Sequence, residues 1–451
     1  MDIIEILAKN VIDTQYENLP LEAVEATKRG VLDTLGCLIG GASECKKEVD
    51  FIKERGGKEE STILVYGGKV PAMNAAMVNS SMAYALDYDG GGGMGPLHDL
   101  VCSIPTALAM SEYRGAVSGK ELITAIAVGE DLAIRINNAG KDFGGFSTAS
   151  IVNVFGTAAI SAKILRLDLT GILNALGLAF NKGAGSHQVA ADKANVLRLL
   201  AGWASQSGIE AALLAQRDFT GVKNILQGFH GFYRLFTGAA PDINVLTDQL
   251  GKRFEIVRLG FKCYPSCGTT NAATEASLRL VKNNNIDPHK IRKIIVETAE
   301  FTNSISGQPL SFRKELPDSV ECQFSQPYTV ANAIIHRSSK LEHFTSDYMM
   351  DPEVLALAKK VIPVLNKKDI EEISARVEIE MENGEKYSQL INRTDMPRRV
   401  SMADAKKKYQ ECVDFAPLSL PREKLDKIVE VVDKLEELED TTELIKLLSA
   451  G

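Results

Sequence analysis

Residues 202–219, GWASQSGIEAALLAQRDF, decide the fold class. The segment is rich in Ala and Gly, and residues 153–167, NVFGTAAISAKILRL, have the same character. Helices with such small side chains can pack at short interaxial distances, so we expect both segments in the core of a helical protein. Aromatic residues make up only 6% of the chain, which also favours closely packed helices over a β-sandwich.

The helical pattern extends over residues 1 to about 260. Residues 21–41, LEAVEATKRGVLDTLGCLIGG, have apolar residues at helical spacing and end in two glycines. Ser118 is a predicted N-cap, with Glu121 three residues later as its capping-box partner. The pattern returns in residues 421–440, which predict an amphipathic helix that packs back on the first domain; a partner-binding helix is the alternative.

A different pattern follows Pro265. Residues 291–301, IRKIIVETAEF, predict a strand, and residues 373–393 alternate on both sides of an Asn-Gly pair, which predicts a hairpin. Two segments between them, SQPYTVANAIIHRSS (325–339) and DPEVLALAKKVIPVL (351–365), predict helices. Strands mixed with helices in this way indicate a smaller α+β domain.

These patterns predict a mainly α protein of two domains. A chain of 451 residues is too long for one ordinary hydrophobic core. We expect a large all-helical domain from residues 1–265 and 397–451, with a smaller α+β domain, 266–396, inserted between its two parts.

The net charge and the cysteines of the chain limit the ligands it can bind and the compartment in which we expect it. The net charge of −8 argues against nucleic-acid binding, which needs a basic surface, but a small anionic substrate stays possible. No apolar run approaches the ~20 residues of a membrane span. Seven scattered cysteines and an acidic start, MDIIEILAKN, predict free thiols and a cytoplasmic protein. We expect no zinc or iron–sulfur site at Cys263 and Cys267, because these two thiols lack further ligands nearby.

Residues 84–99, YALDYDGGGGMGPLHD, are the best candidate site. Asp87 and Asp89 alternate with apolar residues, and the glycines allow a close approach of the backbone to a ligand. His98 precedes a helical run, and a helix N-terminus favours the neutral imidazole, which can accept a proton. The alternative is a flexible surface loop with solvated polar groups.

Lys262, in GFKCYP, is a second candidate. It can pair with a carboxylate or act as a base with a lowered pKa, although a lysine stem lying over apolar surface is the commoner case. Tyr328 and Arg198 carry no signal of their own. The other histidines, at positions 187, 230, 289, 336 and 343, have no spacing that suggests metal binding.

Together these segments resemble the MmgE/PrpD family, which includes 2-methylcitrate dehydratases, cis-aconitate decarboxylases and iminodisuccinate epimerases. The resemblance runs nearly end to end and is carried, in order, by YALDYD (84–89), LHDLVCSIPTALAMSEYRGAVSGKELITAIAVGEDLAIRI (97–136), VFGTAAISAKILRLD (154–168), GIEAALLAQRDFTG (208–221), GFYRLF (231–236), FKCYPSCGTT (261–270) and FSQPYTVANAI (324–334). It implies a helical domain with an α+β lid, a site in the cleft between them, a homodimer, and no metal or organic cofactor.

The resemblance also implies site residues. Asp87 matches the first Asp of the family's LD[FY]DD, and His98 matches the His of its HPS. Lys262 and Tyr328 match the Lys of K-x-[FY]-P and the Tyr of FS-x-x-Y. Arg198 holds a basic position that precedes the family's LH-x-G.

The chain also departs from the family pattern. Asp89 is followed by glycines where the family has Asp-Thr, which we expect to widen or loosen the pocket. Family histidines are replaced at Ser147, Leu200 and Asn271. We expect Asp89 and Ser147 to bind substrate, and the loss of the histidines to change the substrate or the reaction.

The reaction class that the resemblance implies breaks a bond on a carbon next to a carboxylate. Such chemistry needs a positioned acid or base and cations for the carboxylates. We expect His98 as the acid or base, with Asp87 orienting it or tuning its charge. Lys262 and Arg198 would hold carboxylates, and Tyr328 would donate a proton. The default prediction is a cofactor-free hydro-lyase acting on a small di- or tricarboxylate. An epimerase, an isomerase, a decarboxylase and a non-catalytic binding protein are the alternatives.

Overall fold

The computed structural model describes residues 2–91, 97–311, 317–418 and 420–449. The described chain is mainly helical with small sheets, which confirms the predicted class. The second half of the glycine run, residues 92 and 93, lies outside the described residues together with residues 94–96. None of the helices in the described ranges combines the length and the apolar character that crossing a membrane requires.

The described residues up to Thr247 contain thirteen α-helices and a two-stranded sheet. The helices are Ile3–Asp13 (α1), Leu21–Gly41 (α2), Lys46–Arg55 (α3), Ala72–Tyr84 (α4), Leu100–Arg114 (α5), Gly119–Ala139 (α6), Thr148–Ile151 (α7), Asn153–Ile164 (α8), Leu169–Phe180 (α9), Gln188–Ala191 (α10), Leu197–Ala215 (α11), Phe232–Phe236 (α12) and Ile243–Thr247 (α13). The antiparallel strands are Ser61–Thr62 (β1) and Lys69–Val70 (β2).

The remaining elements mix helices with a four-stranded sheet. The helices are Gly268–Asn284 (α14), Glu300–Ser306 (α15), Ser319–Gln323 (α16), Gln326–His336 (α17), Ser346–Met349 (α18), Pro352–Ala358 (α19), Met402–Phe415 (α20), Arg422–Asp433 (α21) and Thr442–Leu447 (α22). The strands are Ile291–Thr298 (β3), Val361–Leu365 (β4), Ala375–Met381 (β5) and Lys386–Ile391 (β6).

Helix α11 lies at the centre of the first core and packs on α4, α8 and α9. A Cβ atom at Gly202 would lie 2.5 Å from the Met77 carbonyl oxygen, and one at Gly208 would overlap Thr157. Only glycine therefore lets α11 approach α4 and α8 so closely. The predicted close packing of the Ala- and Gly-rich helices is confirmed.

A second hydrophobic cluster forms around the four-stranded sheet, whose strand order is β4-β3-β5-β6. Strand β3 pairs parallel with β4 and antiparallel with β5, and β5–β6 is the hairpin predicted from the Asn-Gly pair. Helices α14 and α17 supply Ala273 and Ala331 to this cluster.

One predicted helix is wrong in its second half. Residues 351–365 form helix α19 and then strand β4, whose sequence is VIPVL. Three of its five residues are β-branched, and Pro363, which cannot donate a backbone hydrogen bond, is tolerated because β4 is an edge strand.

The C-terminal helices pack on the first core. The apolar face of α21, Leu425, Ile428 and Val432, is buried in that cluster. Helix α20 lies against α2, where a Cβ atom at Gly36 would lie 2.9 Å from the Tyr409 Cα. The two ends of the chain therefore form one packed body.

An ion pair without solvent exposure joins α2 to α20. The Lys408 Nζ lies 2.6 Å from the Asp33 Oδ1, and both side chains are 0% exposed. The ammonium also lies 4.4 Å from the centre of the Tyr88 ring and 5.5 Å from that of Phe261. The second oxygen of Asp33 accepts a hydrogen bond of 2.8 Å from the Gly90 N–H.

We predict that Lys408→Met lowers the free energy of unfolding by about 3–5 kcal/mol, because it leaves the Asp33 carboxylate buried without a counter-ion. The double variant Asp33→Leu, Lys408→Met should regain most of this loss. Urea unfolding of both variants measures the effect. A loss below ~1 kcal/mol in Lys408→Met, or a double variant less stable than either single one, would contradict the prediction.

Candidate active site

A cavity of about 210 Å³ lies where the 84–99 loop meets the segment that carries Lys262. Its lining residues come from the loop, from the start of α14 and from the segments around α7, α10 and α15. Those with ionisable side chains are Tyr84, Asp89, His98, Asp99, His187, Lys262 and Cys267.

Lys262 connects the two aspartates of the loop. Its Nζ lies 2.5 Å from the Asp87 Oδ1 and 3.7 Å from the Asp89 Oδ1, and it donates a 2.9 Å hydrogen bond to the Asp87 carbonyl oxygen. Burial alone would lower the pKa of Lys262, but the two carboxylates outweigh it and raise that pKa. Its contacts therefore favour the charged ammonium and contradict the alternative of a base with a lowered pKa.

Asp89 is the residue that orients His98. Its Oδ2 lies 2.7 Å from the His98 Nδ1. Burial would raise the pKa of Asp89, but the charges of His98 and Lys262 outweigh it and hold the pKa at about 2, below its ordinary 3.8. The prediction that Asp87 orients His98 is wrong, because Asp87 pairs with Lys262 instead. The Asp87 carboxylate still lies within 4.8 Å of the imidazole, close enough to act on its charge.

Asp87 and His98 both have left-handed backbones, with φ of 46° and 49°. This conformation is uncommon for residues other than glycine and is kept only where the surroundings enforce it. Here Lys262 holds the Asp87 carbonyl, and the Asn153 amide donates to the carbonyls of Leu97 (2.8 Å) and His98 (3.2 Å). The site residues therefore lie on a fixed backbone, and the surface-loop alternative does not describe them.

Gly90 and Gly91, the two described residues of the glycine run, bring the loop close to the segment that carries Lys262. Gly91 and Gly260 exchange two backbone hydrogen bonds of 3.1 Å, two residues before Lys262. A Cβ atom at Gly90 would lie 2.8 Å from the Phe261 ring and 3.0 Å from the Gly260 carbonyl oxygen. For these two glycines, the predicted loosening of the pocket is wrong: the absence of side chains permits a close contact between the two segments.

Asp87, Asp89 and His98 also form a grouping of possible metal ligands, with one atom of each within 4.8 Å of the others. The Lys262 ammonium lies against both carboxylates of this group. The lysine already supplies positive charge to the two carboxylates of this grouping.

Comparison with known proteins places the chain in a family. The MmgE/PrpD N-terminal domain matches residues 5–243, more than half of the chain, and the MmgE/PrpD C-terminal domain matches residues 264–436. The chain belongs to the MmgE/PrpD family. The resemblance carried by the ordered motifs is thereby confirmed.

Several curated relatives are cis-aconitate decarboxylases. The chain is 26% identical to that of Aspergillus terreus over 468 residues, covering 96% of this chain and 93% of the relative. It is 25% identical to that of Mus musculus over 455 residues (94% and 89%) and 23% identical to that of Homo sapiens over 472 residues (99% and 94%).

Two residues implied by the MmgE/PrpD motifs lie away from this cavity. The Tyr328 hydroxyl, inside the second hydrophobic cluster, donates to the His343 carbonyl at 2.6 Å. The Arg198 guanidinium bonds to Ser319 and lies 3.2 Å from the Glu44 carboxylate. Both side chains already have internal partners, so we leave them out of the proposed site.

The three positions where family histidines are replaced separate in the structure. Ser147 is buried and lines the cavity, as expected for a substrate contact. Leu200 belongs to the first hydrophobic cluster, and the Asn271 amide donates to Ser266 and to the Cys267 carbonyl. Neither of these two is among the residues that line the cavity.

Sequence reasoning missed His187, which lines the cavity. Its ring centre lies 5.3 Å from that of Phe301, and its backbone N–H donates to the Gly145 carbonyl. Burial, and then the charge of His98, lower its pKa to about 4, so the ring is neutral near pH 7. No motif surrounds this histidine, so sequence patterns did not predict its place in the cavity.

Cys267 is another cavity residue that the sequence analysis considered only as a metal ligand. Burial, and then the charge of Asp87, raise the pKa of its thiol to about 11. The Thr269 hydroxyl donates to its sulfur at 3.0 Å. Cys267 therefore presents a neutral thiol to the cavity near pH 7.

We predict that Lys262→Met destabilises the protein by about 3 kcal/mol near neutral pH, because Asp87 and Asp89 lose their cation. With its pKa held at about 2, Asp89 stabilises the fold above pH 3.8, and this stabilisation is lost as the pH falls through about 2. Without Lys262 the pKa of Asp89 should be lowered less, so Asp89 should stabilise the fold less. The stability difference from the wild type should therefore be largest near neutral pH and shrink as the pH falls towards 2.

Urea unfolding between pH 7 and pH 2.5 checks this prediction. Lys282→Met, at an exposed position, is the matched control and should leave the stability within about 0.5 kcal/mol of the wild type. A stability difference for Lys262→Met that stays constant over the whole pH range would show that the lysine does not set the pKa of Asp89.

Proposed function

We propose that the protein is a cofactor-free lyase that decarboxylates a small unsaturated carboxylic acid in the cavity between Lys262 and His98. The observation that carries the proposal is the contact of His98 with Asp89 at 2.7 Å beside the Lys262 ammonium, on one wall of the cavity. Membership in the MmgE/PrpD family and the similarity to cis-aconitate decarboxylases support it.

Lys262 holds a carboxylate of the substrate in this mechanism. An ammonium has three donors, and Asp87 takes two of them through its carboxylate and its carbonyl. The third points to the weaker contact with Asp89, at 3.7 Å, which a substrate carboxylate can replace. Asp89 then keeps its stronger partner, His98.

His98 supplies the proton. Its Nδ1 is engaged by Asp89, which leaves Nε2 to exchange a proton with a ligand. As the bond to the departing carboxylate breaks, its electron pair forms a new carbon–carbon double bond, and the electrons of the old double bond take the proton from His98. The products are carbon dioxide and an alkene one carboxylate shorter, and Asp89 stabilises the imidazolium before the transfer.

Decarboxylation needs fewer proton carriers than dehydration, so His98 alone is sufficient for it. Decarboxylation consumes one proton, whereas elimination of water needs a base for the α-proton and an acid for the leaving hydroxyl. Apolar surroundings also destabilise a carboxylate relative to neutral carbon dioxide. Leu197 and Phe324 provide such surroundings in the cavity wall.

The hydro-lyase expected from the sequence is the second candidate. His187 favours it, because a neutral ring in the cavity can accept a proton while His98 donates one. The epimerase alternative would use the same pair to move a single proton between two faces of a carbon.

Three further expectations remain part of the proposal. Residues 266–396 act as an α+β lid on a helical domain formed by 1–265 and 397–451, supported by the separate hydrophobic cluster around their sheet. The working form is a homodimer, which the family resemblance supports. The location is cytoplasmic, which the seven free cysteines support.

The proposal is tested by incubating the protein in deuterated water with a panel of unsaturated di- and tricarboxylates, including cis-aconitate, and following the products by NMR and carbon dioxide trapping. We expect carbon dioxide and one deuterium per product molecule. A hydroxy acid formed by addition of water, without carbon dioxide, would indicate the hydro-lyase. Deuterium exchange without a new product would indicate the epimerase.

His98→Gln should lower kcat by at least about 100-fold, because the proton donor is lost. His289→Gln, at an exposed position, is the matched control and should keep the wild-type rate. Wild-type turnover by His98→Gln would contradict the assignment of His98, and failure of every acid in the panel to react would contradict the enzymatic proposal.

A further inference from the structure

The positive charges around the cavity can neutralise only a few carboxylates of a substrate. Of the described residues that line it, Lys262 is the single lysine or arginine, while Asp89 and Asp99 add two carboxylic acid groups. Lys262 is already in contact with Asp87 and Asp89. The neutral ring of His187 adds no charge near pH 7.

This balance disfavours a trianion. A carboxylate that gives up its water on entering a cavity loses free energy of hydration unless a cation or several hydrogen-bond donors meet it. Lys262 can meet one carboxylate, and His98, when protonated, can meet a second. A third carboxylate would meet no further cation of the described lining, which otherwise offers apolar surface, the neutral hydroxyls of Ser147 and Thr269, and the side chains of Asp89 and Asp99.

Much of the remaining wall is apolar. The side chains that form it come from the loop, from α11 and α15 and from two segments of the 266–396 region, and they are Leu97, Leu197, Phe301, Ile305, Phe324 and Ile373. Apolar walls bind a hydrocarbon group by removing its surface and their own from water, at roughly 25 cal/mol per Å².

We infer that the substrate is a carboxylic acid with at most two carboxylates. At the position where a tricarboxylate carries its third carboxylate, this acid carries an alkyl or aryl group, its arm. The inference rests on the proposed function for the reaction but concerns only which acid the cavity selects. Lys262 and His98 hold the carboxylate end, and the apolar wall holds the arm.

Two saturated, unreactive acids test the selection directly. Tricarballylate is succinate that carries a carboxymethyl group, and propylsuccinate is succinate that carries an alkyl group of similar length. Isothermal titration calorimetry with the full-length protein at pH 7 should show propylsuccinate binding at least 10-fold more tightly than tricarballylate. Equal or tighter binding of tricarballylate, or no binding of either acid, would overturn the inference.

A charge placed on the apolar wall should invert the preference. Phe301 is only partly buried, so Phe301→Lys can be accommodated, and it should move the affinity ratio towards tricarballylate by at least 10-fold. Phe301→Leu should keep the wild-type ratio. Phe219→Lys, at a residue that is 56% exposed, controls for the added charge alone. A ratio unchanged in Phe301→Lys would contradict the assignment of the arm to this wall.

The two proposals fail in different ways. Because neither test acid reacts, their affinities do not depend on the reaction. If no unsaturated acid is turned over but propylsuccinate binds preferentially, the proposed reaction fails and the selection stands. If carbon dioxide is released from an unsaturated acid but tricarballylate binds as tightly as propylsuccinate, the selection fails and the reaction stands.

Discussion

The buried carboxylate of Asp33 is the point on which the geometry of the site depends. One oxygen contacts Lys408 at 2.6 Å, and the other accepts from the Gly90 N–H at 2.8 Å. Lys408 belongs to a helix near the C-terminus and Asp33 to one near the N-terminus. The contact between the two ends of the chain therefore fixes the backbone immediately after Asp89.

The backbone fixed at Gly90 in turn positions the residues of the candidate active site. Gly91 pairs with Gly260 through two backbone hydrogen bonds, which bring Lys262 to Asp87 and Asp89. A pair of buried charges is costly to form and costly to break, so this arrangement is kept as a unit. The resulting cluster holds its one lysine between two aspartates, and that balance limits how many substrate carboxylates the cavity can neutralise.

The sequence was most informative where local patterns decide the structure. Small residues in α8 and α11 predicted close helix packing, and Asn383-Gly384 predicted the β5–β6 hairpin. His98 and Lys262 were recognised as site candidates, because motifs mark them. Strand β4 was missed, because its short apolar run follows a helix directly and its pairing with β3 is not local.

The roles of individual side chains needed the structure. Asp87 and Asp89 are two residues apart, and their spacing in the sequence does not decide which one contacts His98; in the structure it is Asp89. Tyr328 and Arg198 match family positions, yet their polar groups bond to His343 and Glu44. His187 lines the cavity because of the fold, and no motif around it predicts this from the sequence.

The central claim is that Lys262 and His98 together form the acid-binding end of the cavity. A crystal structure of the protein with bound propylsuccinate tests it most directly. We predict a carboxylate oxygen at about 3 Å from the Lys262 Nζ, with the hydrogen bond between Asp89 and His98 intact and the alkyl arm on the apolar wall. Propylsuccinate bound elsewhere, or a carboxylate that contacts neither Lys262 nor His98, would contradict the account.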